Sequence, residues 1–261
     1  MLEKVIQIAE EAAHILMQYY QGPYETSYKW GIEIVTTADI EVNNFLHKKF
    51  QEAFPGDQIL SEETPNTLHS YRGNVWIIDP LDGTKNFTEK SQYFSINIGL
   101  CVDGLPVLWV IISPARDEIY YAEKGKGAFR RKNGIVESIH VSDIANTADW
   151  RLITNIPDGK ERKFDTVIAG LHVRERIPRG SWGILLITAG EAEAYIHASY
   201  NLKKWDTCWP QVVIEEAGGR VTDIAWNPLD YTQQSDRWEN SVIVSNDKIH
   251  NELVREIQKL S

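Results

Sequence analysis

Residues 75–87, VWIIDPLDGTKNF, narrow the possible structure and chemistry more than any other stretch of the sequence. The apolar run predicts a buried strand, with Asp79 at its carboxyl end. The proline and glycine that follow predict a tight turn, which would bring Asp82 close to Asp79 and leave the backbone carbonyl of Leu81 pointing the same way. Three oxygen ligands on one short turn suit a hard divalent cation such as Mg²⁺.

A helix is predicted to begin directly after this turn. Backbone N–H groups at the start of a helix have no partner within the helix, so Gly83 and Thr84 are candidates for binding a phosphate group. The fragment Asp-x-x-Asp-Gly also occurs in ordinary turns that precede a helix cap. It is therefore the whole segment, and not this fragment, that favours a metal and phosphate site.

Three other acidic positions could belong to the same site. Glu62 stands in an acidic pair before the strand, Asp39 in the first turn of a predicted helix, and Asp206 beside Trp205 at another helix start. Each also has an ordinary explanation, because adjacent glutamates are usually solvated and aspartate is common in helix caps and first turns.

The remaining sequence predicts a mixture of helices and strands without a regular βαβ repeat, which favours an α+β protein. Helices are predicted over most of the first 21 residues, from about 38 to 53, over 182–190, and from about 205 and 248 onward. Strands are predicted at 58–60, 75–78, 109–112, 119–122, 128–130 and 194–197, with two more after Gly218-Gly219. Asp103-Gly104 predicts a hairpin turn, and Asn133-Gly134 predicts another turn.

Residues 146–180 are polar and give no clear pattern, so we place a lobe boundary at their start. We expect an N-terminal α+β lobe over 1–145, with an antiparallel sheet and the metal-binding motif, and a C-terminal α/β lobe over 146–261. A basic run over residues 172–179 is either a solvated loop or a clamp for a phosphorylated or sugar-bearing part of a substrate.

Composition limits the partners. A net charge of -10 over 261 residues opposes binding to a nucleic acid polymer or an anionic membrane. The two cysteines, Cys101 and Cys208, lie far apart in the sequence and indicate neither a disulfide framework nor a zinc site. The N-terminus predicts an amphipathic helix rather than a signal peptide, and no apolar run is long enough for a membrane span. We expect a cytoplasmic protein, either a monomer or a homodimer.

In order and spacing, these motifs resemble those of the inositol monophosphatase superfamily of metal-dependent, lithium-sensitive phosphatases. The resemblance covers nearly the whole chain and implies an α+β fold, a layered α/β/α/β/α sandwich of the inositol monophosphatase and fructose bisphosphatase type. The matching stretches are the acidic pair Glu62-Glu63, the signature D-P-[IL]-D-G-T-x-x-F at 79–87, the V-T-x-x-D helix start at 35–39, and W-D with E-A-G-G at 205–206 and 216–219.

The resemblance also implies the metal ligands. Glu62, Asp79 and the Leu81 carbonyl would bind one Mg²⁺ ion. Asp79, Asp82 and Asp206 would bind a second, with two or three ions in the complete site. Physical reasoning agrees with this implication, because carboxylates gathered at one point repel each other unless cations neutralise them.

The resemblance further implies that Thr84, oriented by Asp39, positions the attacking water, and that the amides of Gly83 and Thr84 bind the phosphate of a small phosphorylated metabolite. Ser181 and Lys204 are expected to contact the rest of the substrate. No phosphoenzyme step is expected, since the superfamily pattern implies direct attack by water.

The choice of substrate depends on the residues before Trp205. Superfamily members that prefer inositol phosphates usually carry an acidic residue there, at a position that would fall near Ser199, and no acid lies between Ala198 and Trp205. Lys203-Lys204 and the segment 227–231 instead resemble the 3'(2'),5'-bisphosphate nucleotidase branch. A lysine pair would suit a second phosphate, although both lysines could equally face solvent.

We therefore expect hydrolysis of adenosine 3',5'-bisphosphate to AMP. Inositol 1-phosphate, histidinol phosphate and fructose bisphosphate are the alternative substrates. A metabolite or ion sensor on the same fold is the non-enzymatic alternative.

Overall fold

The computed structural model describes residues 1–29, 33–68, 70–154, 171, 173–178, 181–197, 203–233, 235–236, 238 and 241–259. Within these residues the chain forms three β-sheets and six α-helices. No helix in the described part of the chain is both long and apolar enough to cross a membrane.

The central element is a seven-stranded sheet whose strands follow one another in chain order. The first two strands run parallel and the others antiparallel. Asp103-Gly104 and Asn133-Gly134 all have positive φ angles, as two-residue hairpin turns require. The predicted hairpin at 103–104 and the predicted turn at 133–134 are confirmed. The strands are β3 (Gln58–Ser61), β4 (Asn74–Asp82), β5 (Ser95–Val102), β6 (Leu105–Ser113), β7 (Glu118–Glu123), β8 (Ala128–Lys132) and β9 (Ile135–Ile139).

Two long helices cover one face of this sheet. Helix α1 spans Leu2–Gln21 and helix α2 spans Thr37–Ala53, so both predicted helices are confirmed. Their apolar stripes are buried against the sheet, and Phe50 of α2 meets Trp76 of β4 edge-on, with 4.7 Å between ring centroids. The packing of α2 on the sheet places its first turn, which carries Asp39, beside the end of β4.

A smaller mixed sheet lies beyond the opposite face, and helix α5 (Lys204–Glu216) packs between the two sheets. The strands of this sheet are β10 (Arg151–Thr154), β11 (Glu175–Pro178), β12 (Ala194–His197), β13 (Arg220–Asp223) and β14 (Val242–Ser245), in the order β11-β10-β12-β14-β13. Helix α4 (Ile184–Thr188) packs beside α5, and helix α6 (His250–Gln258) packs on β14. These five layers confirm the predicted α/β/α/β/α sandwich.

Several short elements escaped prediction. Strands β1 (Thr26–Lys29) and β2 (Glu33–Thr36) form a separate hairpin, and β1 is largely exposed, so it lacks the apolar alternation of a half-buried strand. Strand β9 is exposed along four of its five residues. Strands β10 and β11 lie in the polar region that gave no pattern. The division into lobes at residue 145 stays a prediction.

Candidate active site

Asp79 and Asp82 both lie in β4, at the edge of the seven-stranded sheet's buried core. The predicted tight turn between them is wrong. One extra residue of β4 forms a β-bulge against β5, which bends the strand where the two carboxylates project. The strand is followed by Gly83, where φ is +83° and a Cβ atom would lie 2.9 Å from the carbonyl oxygen of Tyr93. Any side chain at position 83 would therefore be strained.

Thr84 begins the short helix α3 (Thr84–Thr88) and contacts Asp39 directly. Its Oγ1 lies 3.1 Å from Oδ1 of Asp39 and 3.1 Å from the carbonyl oxygen of Leu81. A hydroxyl group has one proton, so Thr84 donates to only one of these oxygens at a time. The Leu81 carbonyl is thus already within reach of a donor, whereas the sequence predicted it to be free.

Asp39 has a second task at the start of α2. Its Oδ2 accepts hydrogen bonds from the backbone N–H of Thr36 at 2.8 Å and from the Thr36 hydroxyl at 2.6 Å. Thr36 in turn caps the N–H of Ala38. This capping box fixes the Asp39 carboxylate, so its other oxygen is held toward Thr84. The spacing Thr36-x-x-Asp39 could have revealed the box from the sequence.

Glu62 forms an ion pair that the sequence did not predict. Lys29, on the β1–β2 hairpin, places its Nζ 3.1 Å from Oε1 of Glu62 and 2.5 Å from Oε1 of Glu63. Burial alone would lower the pKa of Lys29, but the two glutamates outweigh it and raise this pKa. No sequence pattern pointed to Lys29, because its partners are more than 30 positions away.

Asp206 lies in the first turn of α5, where its Oδ2 accepts the backbone N–H of Lys203 at 2.8 Å. This helix start brings Asp206 to a cavity of about 360 Å³ that also contains the residues of β4 and α3. Five carboxylates and one lysine line the cavity. The lining residues are Glu33, Ile34, Glu62, Asp79, Leu81, Asp82, Gly83, Thr84, Lys85 and Asp206.

Burial and crowding raise the pKa values of the carboxylates in this cavity. Burial raises the pKa of Glu62 to about 8 and that of Asp206 to about 7. Burial also raises the pKa of Asp79 well above its usual range, and repulsion from Glu62 and Asp82 adds to this effect. Buried carboxylates that repel one another are stabilised by cations, and oxygen donors are the ligands that hard divalent cations prefer.

The side chains share a cavity but are not yet arranged as a closed ligand set. Within the described residues, no three His, Cys, Asp or Glu side chains already surround one point at metal-ligand distances. Glu62, for example, is directed to Lys29. The donor chemistry therefore suits a divalent cation, and binding one requires side-chain adjustment.

Lys204 does not lie where the sequence led us to expect it. Its side chain is buried, its Nζ donates to the carbonyl oxygen of Tyr231 at 3.0 Å and to that of Gln233, and it lies 3.5 Å from the centroid of the Tyr71 ring. An ammonium group enclosed in this way cannot also reach a substrate phosphate. We therefore withdraw Lys204 as a substrate-binding residue, and it does not face solvent either.

The other residues considered for substrate binding are Lys203, Ser181 and the basic run over 172–179. Lys203 forms an ion pair with Asp236 at 3.3 Å and lies over the Trp205 ring. Ser181 begins a short 3₁₀ helix, Ser181–Gly183, but its side chain lies outside the described part of the structure, as do Ser199, His172 and Arg179. Arg174 and Arg176, from the basic run, are exposed.

Comparison with known proteins places the chain in one family. The sequence profile of the inositol monophosphatase family matches residues 1–261. The chain is 33% identical to the inositol-1-monophosphatase of Bacillus subtilis over 86% of this chain and 83% of that protein. It is 32% identical to the 3'(2'),5'-bisphosphate nucleotidase CysQ of Escherichia coli over 89% of this chain and 94% of that protein.

Solved structures agree with these sequence matches. The IMPase of Thermotoga maritima superposes with a TM-score of 0.83 at 28% identity, over 99% of this chain and 97% of that one. The inositol monophosphatase of Anabaena superposes with a TM-score of 0.80 at 25% identity, over 100% and 96%. The chain therefore belongs to the inositol monophosphatase family and is a phosphomonoester hydrolase of that family.

Proposed function

We propose that this enzyme is a Mg²⁺-dependent 3'(2'),5'-bisphosphate nucleotidase, which hydrolyses adenosine 3',5'-bisphosphate to AMP and phosphate. The observation that carries the metal dependence is the lining of the cavity, with five carboxylates and one lysine. A phosphate dianion entering this cavity would be repelled unless cations entered with it.

Glu62, Asp79, Asp82, Asp206 and the Leu81 carbonyl are the proposed ligands. When bound, divalent cations would supply an activated water and would neutralise the charge that develops on the phosphate oxygens. Asp79 is the most deeply buried of the four carboxylates and is repelled by the other three, so it is the proposed shared ligand. Only Oε1 of Glu62 pairs with Lys29, so a rotation of the carboxylate can direct Oε2 to a cation.

Thr84 and Asp39 have the geometry to orient a water molecule. If Thr84 donates its proton to Oδ1 of Asp39, the lone pairs of Oγ1 are available to accept a hydrogen bond from the water. Burial raises the pKa of Asp39, and three donors, two from Thr36 and one from Thr84, oppose this rise. The amides of Gly83 and Thr84 are the proposed phosphate donors.

The preference for a nucleotide substrate depends on other residues than the reaction does. The Lys203-Lys204 pair no longer favours it, since Lys204 is enclosed. Two observations still do. The sequence between Ala198 and Trp205 contains no acid to hold ring hydroxyls. Residues 227–230 of the nucleotidase-like segment line a cavity of about 250 Å³, and the carbonyl of Tyr231 accepts a hydrogen bond from Lys204 at the start of α5.

Inositol-1-monophosphatase activity is the second candidate, and the Bacillus subtilis relative is the observation that favours it. The deciding experiment compares kcat/KM for adenosine 3',5'-bisphosphate and inositol 1-phosphate at equal Mg²⁺, with a chelator control. We expect the nucleotide to be the better substrate. A ratio that favours inositol 1-phosphate would overturn the nucleotidase assignment and leave the phosphatase assignment intact.

A further inference from the structure

The only two cysteines of the chain touch each other. Cys101 lies in β5 and Cys208 in α5, 107 positions later, yet their Sγ atoms are 3.2 Å apart. Both side chains are buried, and both are free thiols. Their separation in the sequence gave no hint of this contact, which arises because α5 crosses the seven-stranded sheet over β5.

The two sulfurs meet because each cysteine lies on the side of its element that faces the core between the sheets. Cys101 pairs with Val75 of β4 in regular register and lies in the same core cluster as Val75 and Ile77. Cys208 lies on the side of α5 that is buried in the core between the sheets. The sulfurs need to approach by only about 1 Å to reach the length of a disulfide bond, roughly 2.0 Å.

A buried ammonium group accompanies the thiols. Lys204 precedes Cys208 by one turn of α5, so both side chains project from the same face of the helix. The ammonium group itself is held by the carbonyl oxygens of Tyr231 and Gln233, so it is the packing of α5 on the sheet, and not this charge, that brings the two sulfurs into reach of each other.

We propose that Cys101 and Cys208 form a reversible intramolecular disulfide, with hydrogen peroxide as the oxidant. One sulfur attacks the peroxide and breaks its O–O bond, which gives a sulfenic acid and one water molecule. The second sulfur then attacks the sulfenic sulfur and displaces the hydroxyl group as a second water molecule. The two thiols lose two electrons and two protons in total, and the peroxide accepts both. A dithiol reductant reverses the change.

This bond would act on the active site through the first turn of α5. Cys208 follows Asp206 by two residues, so pulling Cys208 toward β5 shifts the Asp206 carboxylate. Pro210 has no N–H group to bond the carbonyl of Asp206, so this turn lacks one of the hydrogen bonds that would hold it to the rest of the helix. We expect the disulfide to weaken cation binding at Asp206. This consequence rests on the proposed function, whereas the disulfide itself does not.

The bond can be tested by peptide mapping. The reduced, folded protein is treated with hydrogen peroxide, free thiols are blocked with an alkylating agent, and proteolytic peptides are analysed by mass spectrometry without reduction. We expect one cross-linked peptide pair containing Cys101 and Cys208, a chain mass lower by about 2 Da, and loss of both changes after treatment with a dithiol. Sulfinic acid on either cysteine, a disulfide between two chains, or two thiols that stay reduced would each overturn the proposal.

The link to the active site needs a separate readout. Mg²⁺ affinity, measured by calorimetry, is expected to fall by about tenfold in the oxidised protein and to recover on reduction. Cys101→Ala and Cys208→Ala are the matched controls, since neither can form the bond and both should keep their affinity in peroxide. They also control for oxidation of methionine. A disulfide that leaves Mg²⁺ affinity unchanged would refute the link. If the reduced protein shows no phosphatase activity, the proposed function fails while the mapping result stands.

Discussion

The hydrogen bond between Asp39 and Thr84 gives the sharpest mutational prediction. In Asp39→Asn, the amide oxygen can take the place of Oδ2, where it still accepts the N–H and the hydroxyl of Thr36. The amide NH₂ then faces Oγ1 of Thr84 and donates to it. The Thr84 proton is forced toward the Leu81 carbonyl, 3.1 Å away, so the direction of the hydrogen bond is reversed.

The magnitudes follow from this count of contacts. No hydrogen bond is lost, since the bond between residues 39 and 84 is reversed and Thr84 now donates to the Leu81 carbonyl, so we expect the free energy of unfolding to change by about 1 kcal/mol or less. The lone pair that would hold the water is lost, so we expect kcat to fall by roughly two to four orders of magnitude. Phosphate release and thermal unfolding, measured on the same sample, check both expectations.

Thr36→Ala is the matched control, because it removes the helix cap and one of the two donors to Oδ2 of Asp39. The backbone N–H of residue 36 still holds that oxygen, so the Asp39–Thr84 contact stays in place. This variant should lower the free energy of unfolding by about 1 kcal/mol, or roughly 2 to 4 °C in Tm, and change kcat only a few-fold. Asp39→Asn should therefore lose activity and keep its stability, whereas Thr36→Ala should lose stability and keep most of its activity. The reasoning is refuted if Asp39→Asn keeps more than about a tenth of the wild-type kcat, or if Thr36→Ala loses as much activity as Asp39→Asn.

Three further predictions use the same assays. Asp79→Asn should abolish turnover and keep the fold, and in the presence of a chelator its Tm should equal or exceed that of the wild type, because repulsion from Glu62 and Asp82 is relieved. Thr84→Ala should lower kcat by roughly two to four orders of magnitude with nearly unchanged Mg²⁺ affinity, and a variant whose defect is weak Mg²⁺ binding would show a structural role. Burial lowers the pKa of His250 to about 4, so the folded chain binds fewer protons than the unfolded chain below pH 6.5, and stability is lost as pH falls from 6.5 to 4. His250→Gln should remove roughly 3 kcal/mol of that loss, and an unchanged pH dependence would contradict it.

Much of the active site could be predicted because its parts are contiguous. Asp79, Asp82, Gly83 and Thr84 lie within six residues, and short-range pattern alone brings them together. Long amphipathic helices such as α1 were equally predictable, since their apolar spacing extends over several turns. Even here the local detail differed, because the strand accommodates its extra residue as a bulge and not as a turn.

The features that could not be predicted depend on contacts between segments that lie far apart in the sequence. Lys29 reaches Glu62 and Glu63 from another sheet, and Cys101 meets Cys208 across 107 positions. Lys204 seemed suited to a phosphate because it adjoins Trp205 and Asp206, but its neighbours in space are backbone carbonyls and an aromatic ring. Charge and spacing in a sequence do not reveal which side chains the folded core encloses.

The most direct test of the account is a Mg²⁺ titration of the purified enzyme with a phosphorylated nucleotide, in which bound metal and released phosphate are measured together. The account predicts no phosphate release after chelation, at least two ions bound per active chain, and activity that rises as the sites fill. Asp79→Asn, measured in parallel, should bind fewer ions and release no phosphate. Phosphate release that persists without divalent cations, or that survives the Asp79→Asn substitution, would contradict the central claim.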